Sequence, residues 1–358
     1  MNHLWFERGA YTSSTARHYL ANEFAPEKVK KIAIFRHAAL GDQVIVRPML
    51  VEAKKFFPNA KITLVGVSNY QYGAPSDLAD ETIFMTGRHK KKELTLKEQI
   101  AEFKQLEEQD IIFDVAGTNR SYWMTLFSKA KLKFGFPYKS YLCGTLYNIA
   151  VFRSDYQPEL EVMLDMLKML GHNPQRPLDF AYPNHLKLYK AEKGIKPKIL
   201  YFNGASTKAK ILSEQQMKSL IEEAVNLLPD YQHVYLEGKN DFEKGDFLKH
   251  LIGKDNFEIQ QCLPLEELVE YSAKARLVVA PDTGIRNVAI ATHTPTVGIF
   301  YSTVPFRNTP LKGDHLIVMI ANGDSPSNKQ SLSEVQRALS IQKNDYKFKH
   351  EPILTYVS

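Results

Sequence analysis

The sequence predicts an α/β fold made of two doubly wound, parallel-sheet halves in tandem. Three observations predict it. Short apolar runs alternate with longer runs of helical period, which is how strands joined by crossover helices form a sheet covered on both faces. The alternation lapses once, over 182–198, and then restarts. The chain has 358 residues, enough for two domains of ordinary size.

Residues 1–30 are polar and mixed in charge and read as an N-terminal extension, with no apolar core of signal-peptide length. Residues 31–35 form a short apolar strand, followed by the loop His37-Ala38-Ala39-Leu40-Gly41-Asp42. A helical pattern then runs to about Phe57, and Pro48 must lie near its start to be tolerated. Pro58-Asn59 stops it ahead of a strand at 61–67. The next strand is expected at 110–115 and a helix at 119–129. A strand end at 132–136 follows, then an amphipathic helix over 160–170 closed by Gly171. Residues 182–198 are lysine-rich, contain Pro183, Gly194 and Pro197, and show no period, so they read as a linker. Beyond it, strands are expected at 199–202, 233–236, 277–280 and 296–300, with helices at 213–228, 263–274, 285–292 and 331–341. In such sheets ligands bind beyond the carboxyl ends of the strands.

Hydrophobic residues make up 44% of the chain and charged residues 24%, the balance of an ordinary globular protein. Cys143 and Cys262 stand far apart in no metal-ligand spacing, which points to a reducing compartment without structural zinc. The eleven histidines show no HExxH or paired-ligand pattern, so no metal site is expected. No apolar run is long enough to span a bilayer, and a cytoplasmic protein is expected. The net charge of +6 is mild and does not demand nucleic acid, and the aromatic residues are spread through the chain rather than interleaved with basic ones. Arg88-His89-Lys90-Lys91-Lys92 and Lys129, Lys131 and Lys133 are local basic clusters, either solvated loops or contacts for an acidic acceptor or anionic membrane surface.

Four strand-end loops contain residues fit for chemistry. In Leu40-Gly41-Asp42, Gly41 allows a tight turn and Asp42 is either a general base for a hydroxyl or a helix cap, the spacing alone favouring the cap. In Gly204-Ala205-Ser206-Thr207-Lys208-Ala209-Lys210, hydroxyls and lysines suit a diphosphate, although the Walker spacing is absent. Glu237 ends a strand, where it is a ligand for ribose or base, or a surface glutamate. Asp282-Thr283-Gly284 joins a buried strand to a helix, offering unpaired N–H groups to a phosphate and a carboxylate to sugar hydroxyls. Its other reading is a strand-turn-helix with Asp282 as the cap. Gly117-Thr118-Asn119-Arg120 also follows a strand, with Asn119 an acceptor contact or a cap.

Taken in order, the segments KIAIFRHAALGDQVIVRPML, DVAGTNRSYW, FNGASTKAKILSEQQ and ARLVVAPDTGIRNVAIATHTPTVGIFYSTVPFR resemble the glycosyltransferase family that contains the ADP-heptose:lipopolysaccharide heptosyltransferases. The resemblance implies a GT-B fold, two Rossmann-like domains facing a central cleft. The acceptor would bind residues 31–181 and the nucleotide sugar residues 199–358, with the last helix free to pack back on the N-terminal domain. It implies inverting, metal-independent transfer of heptose from ADP-heptose to the Kdo/lipid A inner core of lipopolysaccharide at the inner face of the inner membrane. No cofactor beyond the ADP-sugar co-substrate is implied. Asp42 would be the base, with Gly41, Asn119 and Arg120 toward the acceptor. Ser206, Thr207 and Lys210 would hold the diphosphate and Lys210 would assist its departure. Glu237 would hold the nucleoside, and Asp282, Thr283 and Gly284 the sugar and phosphates.

Three positions depart from the family pattern. Asn287 stands where a histidine is usual, and it can hydrogen-bond but not carry charge; the adjacent Arg286 is expected to supply that charge if it points inward. The family's lysine-x-tryptophan-proline is Lys210-Ile211-Leu212-Ser213 here, and residues 1–29 have no counterpart. A same-fold transferase for another nucleotide sugar, and a non-catalytic nucleotide-sugar-binding protein, are the alternatives; an epimerase would need an acid/base set of its own.

Overall fold

The structure is a computed structural model that describes residues 10–87, 93–136, 146–154, 156–320, 324–340 and, as backbone, 354–357. The basic run Arg88–Lys92 and Cys143 lie outside the described residues. The chain divides into two units, Met1–Ala181 and Tyr182–Ser358.

The first unit contains strands β1 (Tyr11–Thr12), β2 (Lys31–Phe35), β3 (Lys61–Val67), β4 (Glu81–Met85), β5 (Gln109–Asp114), β6 (Ala130–Gly135) and β7 (Ile149–Ala150). Its helices are α1 (Ser14–Asn22), α2 (Leu40–Ile45), α3 (Arg47–Phe56), α4 (Leu96–Phe103), α5 (Asn119–Phe127) and α6 (Glu159–Lys168). The sheet order is β1-β7-β6-β5-β2-β3-β4. All pairings are parallel except β1 with β7. Central β2 is buried from Ile32 to Phe35, as expected of a parallel strand covered on both faces.

Two expectations for this unit need correction. The helical pattern after Asp42 is two helices, not one. The chain breaks at Val46 because Pro48 has no N–H to donate and fits only in the first turn of a new helix, α3. The N-terminal segment is also not a separate extension, because Tyr11 and Thr12 pair with Ala150 and Ile149 and so complete the sheet.

The second unit contains α7 (His185–Leu188), β8 (Lys198–Tyr201), α8 (Glu214–Leu227), β9 (Gln232–Leu236), β10 (Phe257–Gln260), α9 (Leu265–Lys274), β11 (Leu277–Pro281), α10 (Gly284–Ala291), β12 (Thr296–Phe300), β13 (His315–Ile320), α11 (Asn328–Ser340) and β14 (Leu354–Val357). The strand order is β10-β9-β8-β11-β12-β13-β14, all parallel. Leu332, Val335 and Ala338 of α11 share a core with Leu220 and Ala224 of α8 and Val297 of β12. The last described helix therefore packs its apolar stripe on its own unit's sheet.

The stretch 182–198 is partly ordered structure rather than plain linker. His185 of α7 donates its backbone N–H to Thr292 O at 2.8 Å, and its Nδ1 lies 3.0 Å from Ala273 O. On the other side of the division, Arg47 Nε donates to Phe180 O at 2.6 Å, and its guanidinium grips both oxygens of Asp77 at 2.8 and 2.6 Å. Each unit thus anchors its own end of the chain.

Both sheets reverse their winding once. In the first unit β3 and β4 build outward from one side of β2, and β5 and β6 from the other. In the second unit β9 and β10 lie on one side of β8, and β11 to β13 on the other. The carboxyl ends of β2 and β5, and of β8 and β11, are therefore topological switch points, where loops splay apart and leave a crevice.

Candidate functional site

At the first switch point, the loop after β2 leads into α2. Asp42 is the third residue of α2, and the N-cap is Ala39, so Asp42 is not the cap. A carboxylate in the first turn also meets the positive end of the helix dipole. Its side chain is 39% exposed, with Oδ1 3.0 Å from Arg36 Nη2. That approach lies off the N–H direction, so it is a close ion pair rather than an aligned hydrogen bond. Arg36 Nε also donates to the Asp42 carbonyl at 3.1 Å, closing the loop on itself. Arg36 is buried, and its Nη1 donates to Val115 O at 3.1 Å and to Glu159 Oε1 at 2.6 Å.

The loop after β5 faces the same switch point. Asp114 Oδ1 accepts from the N–H groups of Ala116 and Gly117, and its Oδ2 accepts from Tyr147 OH at 2.6 Å. Burial pushes the Asp114 carboxyl upward against those bonds. Thr118, not Asn119, caps α5 through a reciprocal pair with Ser121. Asn119 is exposed as the first helical residue. Arg120 donates from Nη1 to the carbonyl of Thr86, just beyond β4, so part of its guanidinium ties α5 to that edge. Burial lowers the pKa of this guanidinium, with Glu102 opposing.

His37 is a residue that sequence reasoning passed over. Its Nδ1 lies 2.8 Å from Thr118 Oγ1, while Nε2 is sealed from solvent and has no hydrogen-bond partner among the described residues. Burial, then Arg120 and Arg36, lowers its pKa to about 3. The imidazole is therefore neutral in the folded protein where it would be charged in the unfolded chain. The stability it contributes is present above the unfolded pKa of about 6.5 and is lost as pH falls toward 3. His37→Asn is expected to flatten the fall in stability between those limits by up to about one proton's worth of slope, read from denaturant midpoints against pH.

At the second switch point, the loop after β8 is held by Asn203. Its Nδ2 donates to Leu212 O at 2.9 Å and its Oδ1 accepts from Leu212 N at 3.0 Å. Leu212 itself is buried in the core, and Ser213 caps α8. The segment that departs from lysine-x-tryptophan-proline is thus fixed by an amide clamp and an apolar anchor. Between the clamp points Ser206 and Thr207 are exposed, and a short 3-10 turn, Lys208–Lys210, presents Lys210.

Lys210 Nζ lies 2.7 Å from Asp282 Oδ2, joining the loop after β8 to the turn after β11. Asp282 is buried, but Thr283 is the N-cap of α10 and its side chain caps nothing. The N–H groups of Gly284, Ile285 and Arg286 therefore begin a helix without a side-chain acceptor. Asn287 is buried in the same first turn, and its side chain makes no hydrogen bond to a described residue.

Two expected ligands are engaged elsewhere. Arg286 is wholly buried, donating to Asn308 O at 3.0 Å and Thr309 Oγ1 at 2.9 Å, with its guanidinium 5.0 Å from the centre of the Phe300 ring. A Cβ at Gly298 would stand 2.5 Å from Arg286 Nε, so the strand makes room for this inward course. Burial lowers its pKa to about 10, with Asp282 opposing. Arg286 therefore braces the 305–309 loop through its terminal nitrogens instead of offering them to a phosphate. Glu237 accepts from Gly245 N at 2.9 Å and pairs with Lys244 at 3.6 Å, so it secures the loop below the strand end.

The carboxylate that does sit between the two strand-end loops is Glu243. It is 7% exposed, and its Oε2 accepts from the backbone and side chain of Asn240, both at 3.0 Å. A Cβ at Gly204 would stand 2.4 Å from its Oε1, and one at Gly238 would stand 2.1 Å from its Oε2. Both loops thus close on Glu243 through glycine. Its Oε1 accepts no hydrogen bond from a described residue. The sequence signal was there, in a glycine following each of two adjacent strands, but Glu237 lay nearer the strand.

Among the described residues no group of three or more His, Cys, Asp or Glu side chains is placed to hold a metal ion, and no helix is long and apolar enough to cross a membrane.

Comparison with known proteins adds to this geometry. Residues 100–336 match the family model for glycosyltransferase family 9 (heptosyltransferase). Lipopolysaccharide heptosyltransferase 1 of Campylobacter coli is 28% identical over 118 residues, covering 32% of this chain and 34% of that protein, so the match spans about a third of the relative's length. The structure of Escherichia coli heptosyltransferase WaaC with ADP-2-deoxy-2-fluoro heptose superposes with a TM-score of 0.68 at 18% identity, covering 86% of this chain and 99% of that one. E. coli ADP-heptose lps heptosyltransferase II gives 0.61 at 15% identity over 86% and 98%. A putative UDP-N-acetylglucosamine 2-epimerase from Listeria monocytogenes gives 0.55 at 15% over 89% and 90%. At these identities the structures speak for the fold alone, which is GT-B.

Proposed function

The chain belongs to glycosyltransferase family 9, the heptosyltransferase family, and we propose that it is an inverting transferase moving a heptose from ADP-heptose to the Kdo/lipid A inner core of lipopolysaccharide. The observation that carries this reading is the Lys210–Asp282 bridge beside the open N-terminus of α10. A cation, unpaired N–H groups and a carboxylate at one switch point are what a sugar diphosphate requires. The similar structures of E. coli heptosyltransferase WaaC with ADP and with ADP-2-deoxy-2-fluoro heptose support the choice of donor.

In this reading Asp42 takes the proton of an acceptor hydroxyl while its oxygen attacks the anomeric carbon. The bond from that carbon to the diphosphate breaks, and the sugar inverts. Negative charge collects on the leaving diphosphate, where Lys210 and the N–H groups of Gly284 to Arg286 meet it. These contacts gain strength as the charge develops, which is why they accelerate the step rather than merely bind the donor. Thr283, Ser206 and Thr207 add hydroxyls to the phosphates. Asp282, once Lys210 turns to the phosphates, accepts from sugar hydroxyls. Glu243 Oε1 accepts from the ribose. The acceptor lies at the inner face of the inner membrane, with Asn119 toward it.

Calorimetry in metal-free buffer with ADP-heptose and with ADP-, GDP- and UDP-sugars tests the donor. Selective binding of ADP-heptose is expected. Preference for another nucleotide would keep the reaction class and make Asn287 the first residue to change. In the same titrations Glu243→Gln is expected to weaken ADP binding about tenfold or more, the worth of a charged hydrogen bond. Glu237→Gln is expected to leave it within about threefold, since that carboxylate already serves the loop. The reverse ranking would return the nucleoside to Glu237.

A further inference from the structure

We propose that Arg36 is a positioning residue for Asp42, and that Glu159, on the other side of the same guanidinium, sets how strongly Arg36 holds that carboxylate. The inference rests on the reading of Asp42 as general base.

The geometry is specific. Arg36 reaches both the backbone and the side chain of one residue, through Nε to the Asp42 carbonyl at 3.1 Å and through Nη2 to Oδ1 at 3.0 Å. It therefore fixes the α2 turn and the carboxylate together. Nη1 is pinned on the opposite side by Val115 O and by Glu159 Oε1. Arg36 and Glu159 are 3% and 4% exposed, so neither can turn to water without breaking a buried ion pair. Glu159 opens α6 and is gripped from outside by Arg153 at 3.2 Å, itself seated against the ring of Phe136. The start of α6 thus places a buried anion behind the cation that faces Asp42.

That order has a chemical consequence. A carboxylate beside a lone arginine keeps its charge but loses basicity, because the cation opposes taking up a proton. Glu159 draws part of the guanidinium's field toward itself, so Arg36 can orient Asp42 without disabling it. Arg153 adds positive charge behind Glu159. His37 is neutral across the working range, and Arg120 is directed to Thr86 O. No proton passes through Arg36 or Glu159. The proton moves from acceptor hydroxyl to Asp42 alone.

The two residues then have opposite signatures in the acid limb of kcat/KM against pH. That limb falls as Asp42 becomes protonated. Arg36→Met removes the charge that favours the carboxylate, so the limb is expected to move to higher pH by about 1 to 2 units, with kcat lowered. Arg36→Lys keeps the charge and loses the fork, so kcat falls while the limb stays near its wild-type position. Glu159→Gln can still accept from Arg36 and Arg153 but no longer offsets them, so the limb is expected to move to lower pH. A merely structural role would lower activity without moving the limb in opposite directions. The profiles are measured on the full chain, with thermal melts alongside. If Arg36→Met does not fold, Arg36→Lys and Glu159→Gln decide the matter. Limbs that stay in place in Glu159→Gln, or move the same way in both charge-removing variants, overturn the inference. Asp42→Ala separates it from the parent reading. Full turnover there overturns both, whereas an inert Asp42→Ala with unmoved limbs overturns the role of Arg36 and Glu159 alone.

Discussion

Asp42→Ala is expected to cut transfer by about 100- to 10,000-fold, the usual worth of a positioned general base, and to leave donor affinity within about twofold. Asp42 lies in the unit Met1–Ala181, whereas Lys210, Glu243, Asp282 and α10 all lie in the unit Tyr182–Ser358. Each unit has its own core, so truncating an aspartate that is 39% exposed in one is expected to leave the proposed donor-binding loops of the other as they were. Loss of the carboxylate also leaves the buried Arg36 paired with Glu159, so no cation is stranded. Asp42→Asn sharpens the test. Its amide oxygen can still face Arg36, keeping the turn, but it cannot take a proton. The two variants should therefore be equally slow while differing little in melting temperature. Turnover is followed with saturating donor and affinity by calorimetry. Wild-type turnover in either variant removes Asp42 as the base.

Most of the parallel strands were legible because their residues are apolar on both faces, and a continuous apolar run such as Ile32 to Phe35 has few other readings. Two strands escaped because their pattern is set by an edge. Strand β4 reads Glu-Thr-Ile-Phe-Met and β10 reads Phe-Glu-Ile-Gln, and both are largely half-buried at the end of a sheet. Strand β13 does contain an apolar run, His-Leu-Ile-Val-Met-Ile, but only a 3-10 turn precedes it, so the strand-helix rhythm does not mark it. The candidate site was legible to the level of loops and less so to side chains. Sequence order puts Glu237 and Arg286 beside the right turns, yet the direction of a side chain depends on what the fold leaves open. Arg286 lies over the space left by Gly298, and Glu237 finds the Gly245 N–H at 2.9 Å. Arg36 escaped for the converse reason: its partners are backbone carbonyls and a carboxylate far along the chain, and no spacing rule reveals a carbonyl.

Lys210→Met is expected to slow transfer by about 100- to 1,000-fold, as removal of one preorganised donor to a developing anion does, with a weaker effect on donor affinity. The structure offers a rival explanation that must be separated. Lys210 and Asp282 are each other's partner at 2.7 Å, and Asp282 is nearly buried, so loss of the ammonium strands a carboxylate that could distort the turn after β11. If Lys210 serves only to neutralise Asp282, then Lys210→Met/Asp282→Asn should recover the melting temperature and the turnover together. If Lys210 acts on the leaving diphosphate, the double variant should regain stability and remain as slow as the single one. Lys210→Arg adds a graded case. It keeps the charge on a broader, more weakly hydrated head, so it should hold Asp282 and the donor while losing part of kcat, because the guanidinium fork cannot occupy the same point. The arrangement makes the second outcome the expected one. The Asn203 clamp on Leu212 fixes the loop from the core side and leaves Lys210 the mobile end, 27% exposed, able to swing from Asp282 toward phosphate oxygens at the mouth of α10. An ion pair that opens in this way does two things in one movement. In the proposed reaction it would bring a cation to the charge that forms on the diphosphate and free a carboxylate for the sugar whose bond is breaking.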